Sequence, residues 1–371
     1  MFSTEDHEHM ARALQLAERG RYSADPNPAV GCVIAHGAEV VGEGWHERAG
    51  EPHAEANALA VAGERAAGAT AYVTLEPCNH FGRTPPCADA LIAARLRRVV
   101  VAACDPHVRE NGTGCDALRR AGIDVEEGLL GRSAETLNRG FLSRHRRGRP
   151  FVVSKLAASL DGRTALANGA SRWITGTAAR EDVHRLRAQS SAILTGIGTV
   201  LADDPSLTVR LPQTEGAWRQ PRRVVLDSEL RMPEGAAMLA ASGETLIFTA
   251  SDSLPAHLER AGIVLERMPG DGERLDLAAV LARLAELEVN DLFVEAGPRL
   301  NGSLLEAGLV DEWVLYFAPH LLGDQAKGMF SLPAIDSMAS RFQVDIVDVR
   351  PVGADWRFTL RPAPAGAGGA A

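Results

Sequence analysis

Apolar positions along the chain recur at two alternating spacings. Met10, Ala13, Leu14 and Ala17 follow a helical interval that stops at Gly20, so a first helix is predicted there, followed by the turn Asp25-Pro26-Asn27-Pro28. Residues 29–35 and 39–45 are short β-rich runs separated by His36-Gly37, which reads as a hairpin. Pro52 precedes an alanine-rich helix over 54–67, and strand 71–75 and helix 88–97 come next, then strands 99–103 and 123–126 with helical stretches between them. Strands alternating with helices predict a layered α/β domain. Around Arg144-His145-Arg146-Arg147-Gly148-Arg149-Pro150 the alternation breaks into a basic stretch, read as a solvated helix end plus linker rather than a phosphate site. The boundary is placed here, giving a first domain over 1–148 and a second over 149–361. In the second, 151–157, 191–195, 223–226, 245–248, 292–295 and 312–317 read as strands and 178–188 and 277–287 as helices, so it is α/β too. The Pro/Ala/Gly tail over 362–371 has nothing to bury and reads as disordered.

Composition narrows the function. A chain of 371 residues has room for about two domains, and 23% charged with 46% hydrophobic residues is a globular balance. A net charge of −9 with 5% aromatics argues against nucleic acid as a partner. No uncharged apolar run approaches the roughly 18 residues of a membrane span, and the acidic start lacks the basic-then-apolar order of a signal peptide. A cytoplasmic protein is expected, with no membrane partner. The five cysteines, Cys32, Cys78, Cys87, Cys104 and Cys115, are too few and too spread for a disulfide framework, which leaves metal ligation or burial; Cys32, in a predicted strand, reads as core. Only two of the 39 basic residues are lysines, Lys155 and Lys327. A lysine kept against that bias can do what arginine cannot, such as give up a proton when desolvated.

The strongest chemical signal is His53-Ala54-Glu55, then Pro77-Cys78, then Cys87. One imidazole and two thiolates are a sufficient zinc set when a fourth position is kept for water. Glu55, two residues from His53, is close without being a ligand, placed to take a proton from a metal-activated water and return it to a departing amine. A structural zinc knot with Cys104 or Cys115 as fourth ligand is the alternative, and it leaves Glu55 without a role. His80 and Arg83 lie between the two cysteines and can hold an anionic group such as a phosphate.

His-Ala-Glu followed by Pro-Cys resembles the zinc nucleoside and nucleobase deaminases. The eight residues between Cys78 and Cys87, longer than the two usual there, resemble more narrowly the bifunctional riboflavin-biosynthesis deaminase–reductase family, as do Pro26-Asn27-Pro28-Ala29-Val30-Gly31 and Gly50-Glu51-Pro52-His53-Ala54-Glu55. The resemblance implies that Asn27, His46, Ala54, His80 and Arg83 face the deaminase substrate, Arg83 standing where many relatives have lysine.

In the second half, Thr195-Gly196-Ile197-Gly198-Thr199 lacks the third glycine of a dinucleotide fingerprint. A better candidate is the run from Phe293 through Glu295 and Gly297 to Ser303, a strand entering a glycine turn and a helix start where backbone N–H groups can receive a phosphate. The segments around Ser154-Lys155 to Arg163, Ser171 to Thr175 and Leu201 to Arg210 resemble the family's carboxy-terminal reductase. The family implies a cytidine-deaminase-like three-layer α/β/α domain followed by a dihydrofolate-reductase-like α/β domain, one zinc ion per chain, and NADPH. By resemblance, Ala157, Trp173, Thr199, Asp203, Ser228 and the turn Gly297, Pro298, Arg299, Leu300, Asn301, Gly302, Ser303 line NADPH. Ser171, Arg187, Leu207, Arg210 and Glu295 then face the substrate, the two arginines suiting a ribose phosphate. Lys155 is expected at the end of the first strand of this domain, a buried acid/base for opening the sugar. The motifs give Lys327 no role. The implied activity is hydrolytic deamination of a phosphorylated diaminopyrimidine, then reduction of its ribosyl group to ribityl. A homo-oligomer is compatible with this. Two rivals stay open: a nucleic-acid deaminase, and a one-activity protein whose other domain is a scaffold.

Overall fold

The structure is a computed structural model that describes residues 1–81, 85–107, 111–212, 218–269 and 274–363. The chain forms two compact units, Met1–Arg149 and Pro150–Ala371.

The first unit opens with α1 (Thr4–Arg19), where the Ser3 side chain accepts from Asp6 N–H and the Asp6 carboxylate accepts from Ser3 N–H. Strand β1 (Gly31–His36) pairs antiparallel with β2 (Glu39–Trp45) and with β3 (Thr70–Val73), to which β4 (Arg98–Val101) and β5 (Asp124–Glu127) add in parallel. The sheet order is β2-β1-β3-β4-β5. Helices α2 (Ala54–Ala62), α3 (Cys87–Ala93), α4 (Thr113–Arg120), α5 (Gly131–Leu137) and α6 (Arg139–Arg147) complete the unit. Alternation along the strands sorts the side chains into two cores. Cys32, Ile34, Val73 and Val99 meet Ala58, Leu91 and Leu118 of α2, α3 and α4. Val33, Ala35, Tyr72 and Val100 meet Met10, Ala13 and Leu16 of α1 and Ala134 of α5. The result is three layers, α/β/α. A Cβ at Gly44 would lie 2.5 Å from Ala58 N and 2.6 Å from Ala54 O, so glycine there lets α2 lie directly on β2. That contact fixes where α2 begins. The basic stretch near the boundary is the last turn of α6, where Arg146 pairs with Glu135 and Arg147 bonds Ser143.

The second unit runs β6 (Phe151–Ser159), β7 (Arg163–Ala165), α7 (Thr177–Ala188), β8 (Ala192–Gly196), α8 (Ile197–Asp203), β9 (Arg222–Leu226), α9 (Ala237–Ala240), β10 (Thr245–Thr249), β11 (Ile263–Arg267), α10 (Leu277–Glu286), β12 (Asp291–Val294), α11 (Pro298–Glu306), β13 (Glu312–Ala318), β14 (Lys327–Gly328), β15 (Val344–Val352) and β16 (Asp355–Pro362). Among the described residues its main sheet has nine strands in the order β11-β10-β9-β8-β12-β6-β13-β16-β15, parallel as far as β13 and antiparallel beyond. α10 and α11 pack on one face and α7 and α8 on the other. β7 and β14 form a separate two-stranded ribbon.

Two expectations change here. β6 continues to Ser159, so Lys155 sits at the strand's centre and not its end. The hairpin β15–β16 was not anticipated; it takes Pro362 into a strand and bonds Ala363 N–H to Gln343 O. Of the expected disordered tail, residues 364–371 lie outside the described residues.

Candidate active sites

In the first unit, His53 is the residue that caps α2, with extended backbone, and Cys87 is the first residue of α3. Cys78 lies between β3 and α3, its sulfur accepting from the Cys87 backbone N–H at 3.4 Å. The Asn57 amide donates to Trp45 O at 2.8 Å and ties the start of α2 to the end of β2. His53 Nδ1 lies 3.5 Å from Cys78 Sγ and 3.3 Å from Cys87 Sγ, and the three atoms are all within 4.8 Å of one another. Tetrahedral zinc with ordinary Zn–S and Zn–N bonds separates a nitrogen and a sulfur ligand by about 3.5 Å, so this donor set fits zinc. Among the described residues the group has these three members: Cys104 instead donates to Glu127 and Cys115 is buried in the sheet core. The structural knot therefore lacks its fourth ligand. A hydrogen bond from the Cys87 thiol pulls Cys78 down, while the same sharing pushes Cys87 up.

Glu55, one residue into α2, is 3% exposed, and burial pushes its carboxyl up to about 7 against the pull of His53. His46 is buried with its ring 5.2 Å from that of His53. Its Nδ1 faces Pro52 O at 3.1 Å; a carbonyl only accepts, so Nδ1 donates and Nε2 accepts from the Asn27 amide at 3.1 Å. Burial lowers the pKa of His46, which favours that neutral form. Asn27, His46, His53, Ala54 and Glu55 are thus gathered at one end of α2. A residue the sequence did not suggest braces this group: the buried Asn138 side chain accepts from Ala29 N–H at 2.8 Å and donates to Ala29 O at 2.9 Å, two residues from Asn27. His80 is exposed on the segment between the cysteines; Arg83 lies outside the described residues.

The second unit holds a cavity of about 2230 Å³. Two strand-to-helix turns lie side by side along it, Gly196 to Thr199 from β8 into α8 and Gly297 to Arg299 from the neighbouring strand β12 into α11. A Cβ on Gly297 would come 3.9 Å from Thr199 Oγ1, and one on Gly196 3.7 Å from Leu300 Cδ2. Neither helix start has a side-chain cap, so backbone N–H groups of both turns are open to an acceptor. The cavity exceeds the roughly 300–1,000 Å³ usual for one ligand and suits a dinucleotide beside a second molecule. The incomplete glycine motif, discounted from sequence, thus forms one wall.

Ala157, Trp173, Thr199, Asp203, Ser228, Gly297, Pro298, Arg299, Leu300 and Ser303 line this cavity, as do Ser171, Leu207 and Arg210. Asn301 and Gly302 do not. The Asn301 amide donates to Ala296 O and its oxygen accepts from Ser154, while Gly302 packs against the Ser331 backbone. Arg187 faces the cavity with its charge already matched: it grips Glu295 through two bonds, 2.5 and 3.1 Å, and donates to Thr208 O. It keeps the place at the cavity where the sequence reading expected a substrate contact. Lys155 Nζ lies 3.8 Å from the same carboxylate. Burial lowers the Lys155 pKa and Glu295 opposes the fall; burial pushes Glu295 up, yet Arg187 and Lys155 together hold it near about 2. Arg210 reaches Ser206 and His184, whose pKa falls to about 4 through burial and the two neighbouring arginines. Lys327 also lines this cavity, so both lysines of the chain do. Their rarity was the one sequence signal for it.

The family described as "Cytidine and deoxycytidylate deaminase zinc-binding region" matches residues 3–103, and the family described as "RibD C-terminal domain" matches residues 150–358. The riboflavin biosynthesis protein RibD of Escherichia coli K12 is 50% identical over 360 residues, 95% of this chain and 98% of that one. The chain belongs to the RibD family. A Haemophilus influenzae RibD is 47% identical over 371 residues, 97% of this chain and 98% of that one. Acinetobacter baumannii RibD, form 1, superposes with a TM-score of 0.91 at 44% identity, covering 97% of this chain and 99% of that one. A Thermotoga maritima deaminase/reductase does so with 0.85 at 32%, with the same shares covered. Like its family, this chain is a two-activity enzyme of riboflavin biosynthesis, a deaminase with a cytidine-deaminase-like fold joined to a reductase with a dihydrofolate-reductase-like fold, using zinc and NADPH. No helix among the described residues is long and apolar enough to cross a membrane.

Proposed function

We propose that residues 1–148 hydrolyse the amino group from 2,5-diamino-6-ribosylamino-4(3H)-pyrimidinone 5′-phosphate and that residues 149–361 reduce the ribosyl group of the product to ribityl. The observation that carries this reading is the pairing in one chain of a His/Cys/Cys group beside a buried carboxylate with a cavity sized for a dinucleotide and a second ligand.

His53, Cys78 and Cys87 hold the zinc, which when bound supplies a Lewis acid that activates water near neutral pH. Glu55, buried and oriented by the first turn of α2, carries a proton from the incoming water to the departing ammonia. Asn27 and neutral His46 form a fixed hydrogen-bonding edge for the pyrimidine, Ala54 leaves room for the ring, and His80 and Arg83 take the phosphate end. In the second unit the N–H groups of the two adjacent turns receive the cofactor's phosphates, and Ala157, Trp173, Thr199, Asp203, Ser228 and Gly297 to Ser303 form its bed, Asn301 and Gly302 acting from behind by holding the turn. NADPH supplies the hydride. Lys155 exchanges the proton that opening the ribose requires, with Glu295 and Arg187 fixing its position and charge, while Ser171, Leu207 and Arg210 bound the substrate.

The cytoplasm suits five cysteines without a disulfide. Self-association into a homo-oligomer is supported by the exposed apolar side chains of Ile335, Met338, Phe342, Ile346, Val349 and Trp356 on the hairpin β15–β16 and the segment before it. Mass spectrometry of the pyrimidine tests the function. Without NADPH the product should have exchanged its amino group for oxygen and kept its ribose; with NADPH it should gain two hydrogens as well. A product unchanged by NADPH would overturn the assignment to the second unit.

A further inference from the structure

Glu76 stands two residues before Cys78 and is 4% exposed. Its Oε2 accepts from Asp105 N–H at 3.2 Å and Gly112 N–H at 3.0 Å; its Oε1 accepts from Gly114 N–H at 3.0 Å and Cys115 N–H at 3.2 Å. Three of these four donors belong to the start of α4, whose capping residue Gly112 has no side chain to satisfy them. A carboxylate from a distant segment therefore does the work of the helix's own cap. The neighbouring residues make the same attachment. A Cβ on Gly114 would stand 1.9 Å from Pro77 O, so glycine lets α4 touch the backbone just before Cys78, and the Asn79 amide donates to Thr113 O at 3.2 Å just after it. Glu76, Pro77 and Asn79 are each fastened to the first turn of α4, and Cys78 lies among them.

We propose that Glu76 is a positioning residue for the metal centre: by capping α4 from outside, its carboxylate fixes the segment that presents the Cys78 sulfur to His53 and Cys87. The inference rests on the reading of His53, Cys78 and Cys87 as the zinc ligands. Both carboxylate oxygens are used as acceptors, two N–H groups to each, so no amide can replace the group. In Glu76→Gln an NH₂ must face two backbone N–H donors whichever way it turns, and the segment has to shift.

The test uses the full chain stripped of metal and titrated with Co²⁺ alone, whose thiolate charge-transfer and ligand-field bands report how two sulfurs and a nitrogen surround it, together with the rate at which zinc passes to a coloured chelator. Glu76→Gln should bind Co²⁺ ~10-fold to 100-fold more weakly, with an altered ligand-field band and faster zinc release, the range typical of groups that orient metal ligands. Deaminase kcat should fall with KM little changed, and reductase activity should persist. Ser3→Ala, which removes the cap of α1 in the same unit, controls for general loss of stability and should leave the cobalt spectrum as in the wild type. A wild-type spectrum, affinity and zinc release in Glu76→Gln would overturn the proposal alone; a wild-type chain that binds neither cation would overturn the zinc reading and this proposal with it. Should Glu76→Gln not fold, Asn79→Ala decides in its place, since it loosens the same segment through one bond: faster zinc release supports the proposal and unchanged release refutes it.

Discussion

Removing the charge of Glu295 is the sharpest way to ask whether Lys155 exchanges a proton. Lys155 Nζ is 3.8 Å from Glu295 Oε2, and both side chains are largely buried, at 19% and 13% exposure. With an effective dielectric of ~20, that separation is worth about 4 kcal/mol in favour of the ammonium form, or roughly 10³ in the equilibrium between ammonium and amine. Glu295 stays ionised down to about 2, so this support is present across any practical assay range. Glu295→Gln keeps the side-chain shape and leaves Lys155 with burial and Arg187, both of which disfavour its charge. The lysine then gives up its proton at lower pH. Whether the reaction needs ammonium or amine, the ionisation in the pH profile of reductase kcat/KM should move toward acid, while the deaminase profile stays in place. Glu295→Asp, with a charge restored at slightly longer reach, should move the profile part of the way back. Rates of NADPH oxidation on deaminated substrate across a pH series give the answer. A profile that keeps its position in Glu295→Gln while only KM changes would mean that Lys155 is a fixed contact, and the proton-exchange role would be withdrawn.

Glu55→Gln should retain zinc, since the side chain is not one of the three ligands, and lose roughly 10²–10⁴-fold in deaminase kcat; metal analysis beside the rate separates that outcome from simple zinc loss. Cys78→Ser, or chelation of the wild-type enzyme, should abolish deamination and spare NADPH oxidation on deaminated substrate, and parallel loss of both in folded protein would refute the division of labour. Asp6→Asn should destabilise the first unit by roughly 1–3 kcal/mol, because it removes one of the two carboxylates that hold the Arg98 guanidinium, contacted by Asp6 at 2.6 and 3.2 Å, and leaves Glu126 as the other. The bond from Arg98 holds the Asp6 carboxyl far below the usual range, so this stabilisation is present above that range and fades as pH falls below it; calorimetry of both proteins at descending pH should show their transitions converge.

What the sequence determined by itself was local and chemical. Helical spacing and short β-rich runs place each predicted strand and helix within a few residues; β1 reads as an unbroken apolar run because it sends Cys32 and Ile34 to one core and Val33 and Ala35 to the other. The zinc ligands were equally legible, since thiolate and imidazole beside a proline-marked helix start have few other uses. The missed hairpin β15–β16 is instructive: Val344, Ile346, Val347 and Val349 are good strand formers, but charged residues interrupt them and the strand Val344–Val352 is exposed almost throughout, so no core-facing pattern set it apart. Only the tertiary structure decided which charges meet. Nothing local distinguishes Arg187, which reaches across 108 positions to Glu295, from the other arginines, or marks Glu76 as the cap of a helix that starts 37 residues later. Asn301 shows the same limit, sharing a turn with Arg299 yet facing the other way. An apolar side chain is sorted by its spacing alone, whereas a charge or amide takes its role from the partner that chain closure brings to it, and that partner is chosen by the order of strands in the sheet.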